Sequence, residues 1–152
     1  MRIESQNVPV SDDAIAMLEN VLGSKFPKQY REFLRCNNGG HPEPDCFNFA
    51  DGRPGSAVRG FLKLNSSEIH DDFVWNWKTF KTRIPGDFVP IAFDAGGNLV
   101  CVAITGPHYG HVYFWDHEFE SDDGEPVTMN NMALIANSFG EFLSGLYQFE
   151  QD

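Results

Sequence analysis

The residues with the most chemistry in them lie together. The stretch HYGHVYFWDHEFESDDGE, residues 108–125, holds three of the chain's five histidines and six carboxylates, with no lysine or arginine. His108, His111, Asp116 and His117 are the ligand types of a metal-dependent hydrolase, in which imidazole and carboxylate hold an ion that activates water. Their spacing argues against it. If 111–117 is one strand, His111 and His117 share a face but stand about 20 Å apart at ~3.3 Å per residue, too far to bind one ion. His117-Glu118 lacks the second histidine of an H-E-x-x-H zinc helix. No start position across 116–125 puts acids at one, three and five, glycine at six and glutamate at twelve, as a calcium loop requires.

Paired carboxylates can act as acid and base when their surroundings split their pKa values. Asp116, Glu118 and Glu120 share a face if the strand continues, but a crowd of exposed acids supplies no such asymmetry. The chain also has no nucleophile elbow, phosphate loop, dinucleotide fingerprint or zinc-deaminase signature. It reads as a protein without a catalytic centre, a metal or a cofactor, its histidines solvated or hydrogen-bonded to backbone. Two readings of the acidic run stay open. A block this dense is commonly a solvated loop, or it is a docking edge whose potential draws in a basic partner. Trp75 and Trp115, if exposed, would be aromatic anchors beside it; core packing accounts for them equally well.

Net charge leaves two readings open as well, solubility alone or attraction of a basic partner. The formal charge is −11 over 152 residues, which repels nucleic acid and anionic lipid and attracts basic proteins. An apolar content of 41%, with 14 phenylalanines, is ample for a core, and the length suits a single domain over 1–152. The apolar runs are too short to span a bilayer. The N-terminus MRIESQNVPVSDD lacks the apolar stretch of a secretory signal, so a soluble, cytoplasmic protein is expected. Cys36, Cys46 and Cys101, odd in number and without a C-x-x-C pair, suit neither a disulfide framework nor zinc. Cys101, within LVCVAI, reads as a small buried hydrophobe.

The elements that must position these residues follow from periodicity. Ser11 caps a helix with Asp12 and Asp13 in its first turn; Ala14, Ile15, Leu18, Val21 and Leu22 form its stripe, and Gly23 stops it. Pro27 is placed as the first residue of a second helix, with Tyr30, Phe33 and Leu34 inward and Asn37-Asn38-Gly39-Gly40 at its end. Residues 41–57 read as a long loop with one short strand at 47–49, and 58–64 as a strand. A third helix is expected from Ser66 or Ser67, carrying Ile69, Phe73, Trp77, Phe80 and Ile84 inward and leaving Asp71, Asp72 and Trp75 on other faces. Strands 89–93, 99–104 and 111–116 follow, joined by glycine turns. The middle one is apolar on both faces and so should be a covered central strand. Ser138 and Glu141 form a capping box ahead of a last helix bearing Phe139, Phe142, Leu143 and Leu146. Consecutive strands joined by tight turns imply an α+β fold, an antiparallel sheet with helices packed against it.

The ordered motifs resemble the SUKH superfamily, the group of a yeast cell-wall-assembly regulator and many bacterial immunity proteins. FPKQYREFLRCNNGG at 26–40 is similar to the family's P-x-x-Y-x-x-F-L…N-G-G element. PIAFDAGGNLVCVAI at 90–104 is similar to its P-I-A-x-D-x-x-G-N strand-turn-strand. GHVYFWDHE at 110–118 follows, and IANSFGEFL at 135–143 matches its closing A-x-S-F-x-E-F-L helix. The resemblance implies an α+β scaffold without an established catalytic centre, and for the bacterial branch a protein that neutralises the toxin domain of a polymorphic or contact-dependent toxin.

The expected partner is therefore a cognate toxin domain, basic and most simply a nuclease, since an acidic surface can imitate the phosphates such an enzyme binds. Direct binding of nucleic acid or membrane is not expected. Specificity is placed where the chain is most individual, the 41–57 loop and the acidic run. The candidate contact residues are Asp45, Asp51, Asp71, Asp72, Trp75, Trp115, Asp116, Glu118, Glu120, Asp122, Asp123 and Glu125. A regulator or scaffold binding a host protein, as in the eukaryotic branch, is the alternative.

Overall fold

The computed structural model describes residues 1–4 and 9–150; residues 5–8, part of the N-terminal stretch read above as carrying no leader, and 151–152 lie outside the described residues. Its centre is a five-stranded antiparallel sheet in the order β5-β6-β7-β8-β9, comprising β5 (Gly60–Phe61), β6 (Phe88–Phe93), β7 (Leu99–Ala103), β8 (Val112–Trp115) and β9 (Met132–Ala136). The α+β architecture inferred from the order of elements is the one observed. Among the described residues no helix is long and apolar enough to cross a membrane.

β7 is covered on both sides, as its unbroken apolar run requires. Val100 and Val102 join the main core, while Leu99, Cys101 and Ala103 join a second cluster on the other face with Ile84, Phe88 and Trp115. This is the alternation a pleated strand imposes on its side chains. Pro90 sits in β6, an interior strand, where a missing N–H would normally break the ladder; it falls at a register shift, the place that tolerates it.

The main core is closed by helices. α1 (Asp12–Leu22) is capped by Ser11, whose hydroxyl accepts from the Ala14 N–H at 3.1 Å, and is ended by Gly23 at φ 81°. Ile15 and Leu18 face inward, but Val21, expected on the same stripe, is exposed. α2 (Lys28–Asn37) buries Tyr30, Phe33 and Leu34; Pro27 is its N-cap rather than its first residue. α4 (Phe139–Ser144) begins at Ser138, whose Oγ accepts from the Glu141 N–H at 3.1 Å. Phe139 meets Tyr30 and Phe33 of α2 at ring-centroid distances of 5.2 and 5.0 Å, which ties the two ends of the chain together.

Several expectations are corrected. Residues 41–57 are not a plain loop: β2 (His41–Glu43) pairs with β1 (Arg2–Glu4), and β3 (Cys46–Asn48) with β4 (Pro54–Ala57). Strands this short leave no periodicity to read, and β2 is set by a partner some forty positions away. The strand expected over 58–64 shrinks to β5. The third helix, α3 (Phe73–Phe80), starts later than the serines suggested. Asp72 outcompetes them as cap, its Oδ2 accepting from the Trp75 N–H at 2.9 Å, while its Oδ1 accepts from the Ser66 N–H at 3.2 Å. β9 had no counterpart in the sequence reading.

Candidate partner-docking surface

The acidic residues lie where three ladders end together at one end of the sheet. The last pair of the β6–β7 ladder is Phe93 with Leu99, of β7–β8 Leu99 with Trp115, and of β8–β9 Trp115 with Met132. The 94–98 turn and the 116–131 excursion therefore emerge side by side. The base of the excursion is closed by a reciprocal pair: the Asp116 N–H donates to the Asn131 carbonyl, and Asn131 Nδ2 donates to the Asp116 carbonyl, both at 3.0 Å.

Asp94 organises the neighbouring turn. Its carboxylate is buried and accepts from the N–H groups of Gly96 (2.9 Å) and Asn98 (2.8 Å), from Asn98 Nδ2 (3.0 Å) and from the Ser56 hydroxyl (2.9 Å). Burial works to raise its pKa, but these donors together outweigh it and hold the carboxyl below its ordinary range. Asn98 Oδ1 in turn accepts from the His117 N–H at 3.0 Å, and His117 Nε2 lies 2.8 Å from the Gly96 carbonyl oxygen. Gly97, at φ 86°, is packed against this ring, and a Cβ there would approach His117 Nε2 to 3.3 Å. Asp94, Asn98 and His117 are thus a brace between the turn and the acidic loop.

Beyond the brace the strand does not continue. Asp116 caps a 3-10 turn over His117–Phe119, its Oδ1 accepting from the Glu118 N–H at 3.1 Å. Asp116, Glu118 and Glu120 consequently do not share a strand face, and His117 is spent on backbone. Among the described residues no three His, Cys, Asp or Glu side chains gather closely enough to hold a metal ion.

Glu120 is clamped by Arg83, which donates Nε to Oε2 at 3.0 Å and Nη2 to Oε1 at 2.7 Å. The same guanidinium lies over the rings of Phe80 (4.7 Å) and Trp115 (5.5 Å). Hydrogen bonding to Arg83 lowers the Glu120 pKa, and Glu120 raises that of Arg83. A groove of about 710 Å³ runs between Thr82–Arg83 and the loop, lined also by Glu118, Asp122, Asp123 and Glu125. No lysine or arginine lies within 4.0 Å of those four acids among the described residues.

The remaining sequence candidates divide. Trp115 is fully buried and cannot be an exposed anchor, because its place opposite Leu99 turns it into the second cluster. Trp75 is half-buried, edge-on to His70. Asp72 is spent as the α3 cap, and Asp71 holds Ser66 and Lys63. Asp45 pairs with His41 and Asp51 with Arg53. None of Asp45, Asp51, Asp71, Asp72 and Trp75 lines the groove. Sequence reasoning missed Arg83, whose role depends on a partner 37 positions away, and Phe119, a lone aromatic between carboxylates in a loop, which was a visible signal.

Residues 9–145 match the SMI1 / KNR4 family (SUKH-1). A protein of Bacillus subtilis (strain 168) described as "SPbeta prophage-derived uncharacterized protein YokK" is 28% identical over 153 residues, spanning 90% of this chain and 74% of that one.

Proposed function

The chain belongs to the SMI1 / KNR4 family (SUKH-1), and from that premise we propose that it is a cytoplasmic immunity protein that binds and neutralises the toxin domain of a polymorphic or contact-dependent toxin. Binding, not catalysis, is its mode of action. The observation that carries this reading is the braced groove with Glu118, Asp122, Asp123 and Glu125 unpaired along it. Acids that line one groove in excess over its single arginine form a surface complementary to a cationic one, and such complementarity speeds encounter and selects partners. A nuclease, whose substrate site is basic, is the toxin that suits it. The prophage origin of the Bacillus relative supports a role in conflict between genetic elements.

The test is affinity capture of the tagged protein from its own organism at low and moderate salt, read by mass spectrometry. Capture of the C-terminal domain of a large secreted protein, weakened by salt, is expected, as is protection of cells expressing that domain. Recovery of a housekeeping complex alone would overturn the immunity reading in favour of a regulator. Reversing Glu118, Asp122, Asp123 and Glu125 to lysine should slow association and flatten its salt dependence; unchanged kinetics would remove the groove from the interface.

A further inference from the structure

Exposed hydrophobic residues scattered singly over a surface are ordinary. The 116–131 excursion carries three of them. Phe119 is 71% exposed, Val127 41% and Met129 37%. Phe119 and Pro126 line a second depression that shares Glu120, Ser121, Asp122 and Glu125 with the acidic groove, and Val127 lines that groove itself.

Phe119 is also not on a slack loop. Its own N–H donates to the Asp116 carbonyl at 3.2 Å. On one side His117 is fixed by Asn98 and Gly96, and on the other Glu120 is fixed by Arg83. With the chain tied two residues before it and one residue after it, the Phe119 backbone is held in place at the mouth of the depression.

We propose that Phe119 is the apolar anchor of the docking surface, inserting into a pocket of a protein partner whose rim carries lysine or arginine. This rests on the docking reading above and gives it a centre. A rigid aromatic loses little conformational freedom on binding, and anchors of this type dominate interface energetics when a polar rim surrounds them. Here the free acids beside Phe119 in its depression are Asp122 and Glu125, with Glu118 in the adjoining groove, and the charge complementarity they demand fixes the sign of the partner.

The experiment uses a phage-displayed library of random peptides as probe, panned on the full chain. Peptides enriched on the unaltered protein should combine an apolar or aromatic residue with Lys or Arg. Their binding should fall about tenfold or more with Phe119→Ala, persist with Phe119→Trp, and be unaffected by Met17→Ala, a change at an exposed methionine on α1. The proposal is overturned by no enrichment, by enriched peptides without a basic bias, or by binding that survives Phe119→Ala. The outcome is independent of the toxin question: a captured toxin with failed panning sinks the anchor alone, and successful panning without any toxin sinks the immunity reading alone.

Discussion

Arg83 and Glu120 form a two-pronged ion pair, 2.7 and 3.0 Å long, with the guanidinium laid over the Trp115 ring. Through it the acidic loop is fastened to the second hydrophobic cluster. One basic residue thus consumes Glu120, the cap at the start of the loop consumes Asp116, and Glu118, Asp122, Asp123 and Glu125 make no salt bridge among the described residues.

Arg83→Ala should destabilise the protein by about 1–2 kcal/mol, the pair being half exposed but bidentate and backed by two rings. Glu120→Gln should cost less, up to about 1 kcal/mol. Urea unfolding of both variants and of the double variant would check this. If the double variant equals the sum of the singles, the clamp contributes nothing.

Asp94 sets an acid-sensitive limb of stability. Its pKa is lowered in the folded protein from an ordinary 3.8, so its contribution is complete above that value and is lost as pH falls through the lower folded one. Asp94→Asn should be less stable at pH 7 by about 1–3 kcal/mol, the worth of hydrogen bonds to a charged group. Measured by unfolding across pH 2–7 (roughly the span bracketing that titration), the gap between variant and parent should narrow below the ordinary value. A constant gap would mean the charge is irrelevant.

Tyr30 gives a prediction of opposite sign. Its hydroxyl is buried among Phe26, Phe33 and Phe139 without a hydrogen-bond partner among the described residues, and burial pushes its pKa up. Removing an unsatisfied polar group lifts a desolvation cost of about 1–3 kcal/mol. Tyr30→Phe should therefore raise stability by about 1 kcal/mol or more; a loss would show that the hydroxyl has a partner in solution.

Much of this protein is written locally. The caps at Ser11 and Ser138, the stop at Gly23 and the two-faced burial of β7 depend on residues within a turn or a strand of each other, so periodicity and composition suffice to find them. The fold class follows from their order, and the family motifs are largely these same turn and core residues. Tertiary structure alone decided the rest. β1 and β2 are three residues long and exist only because each completes the hydrogen bonds of the other, some forty positions away. Asp72 displaced the serines as a cap because its carboxylate could serve Ser66 and Trp75 together. At the candidate site, composition could say that carboxylates crowd together, but not which are spent: Asp116 on a cap and Glu120 on Arg83, with Trp115 turned inward and Phe119 outward. Those assignments follow from where the sheet ends, because the residue after the last ladder pair stops alternating between faces and takes whatever orientation its new hydrogen bonds impose.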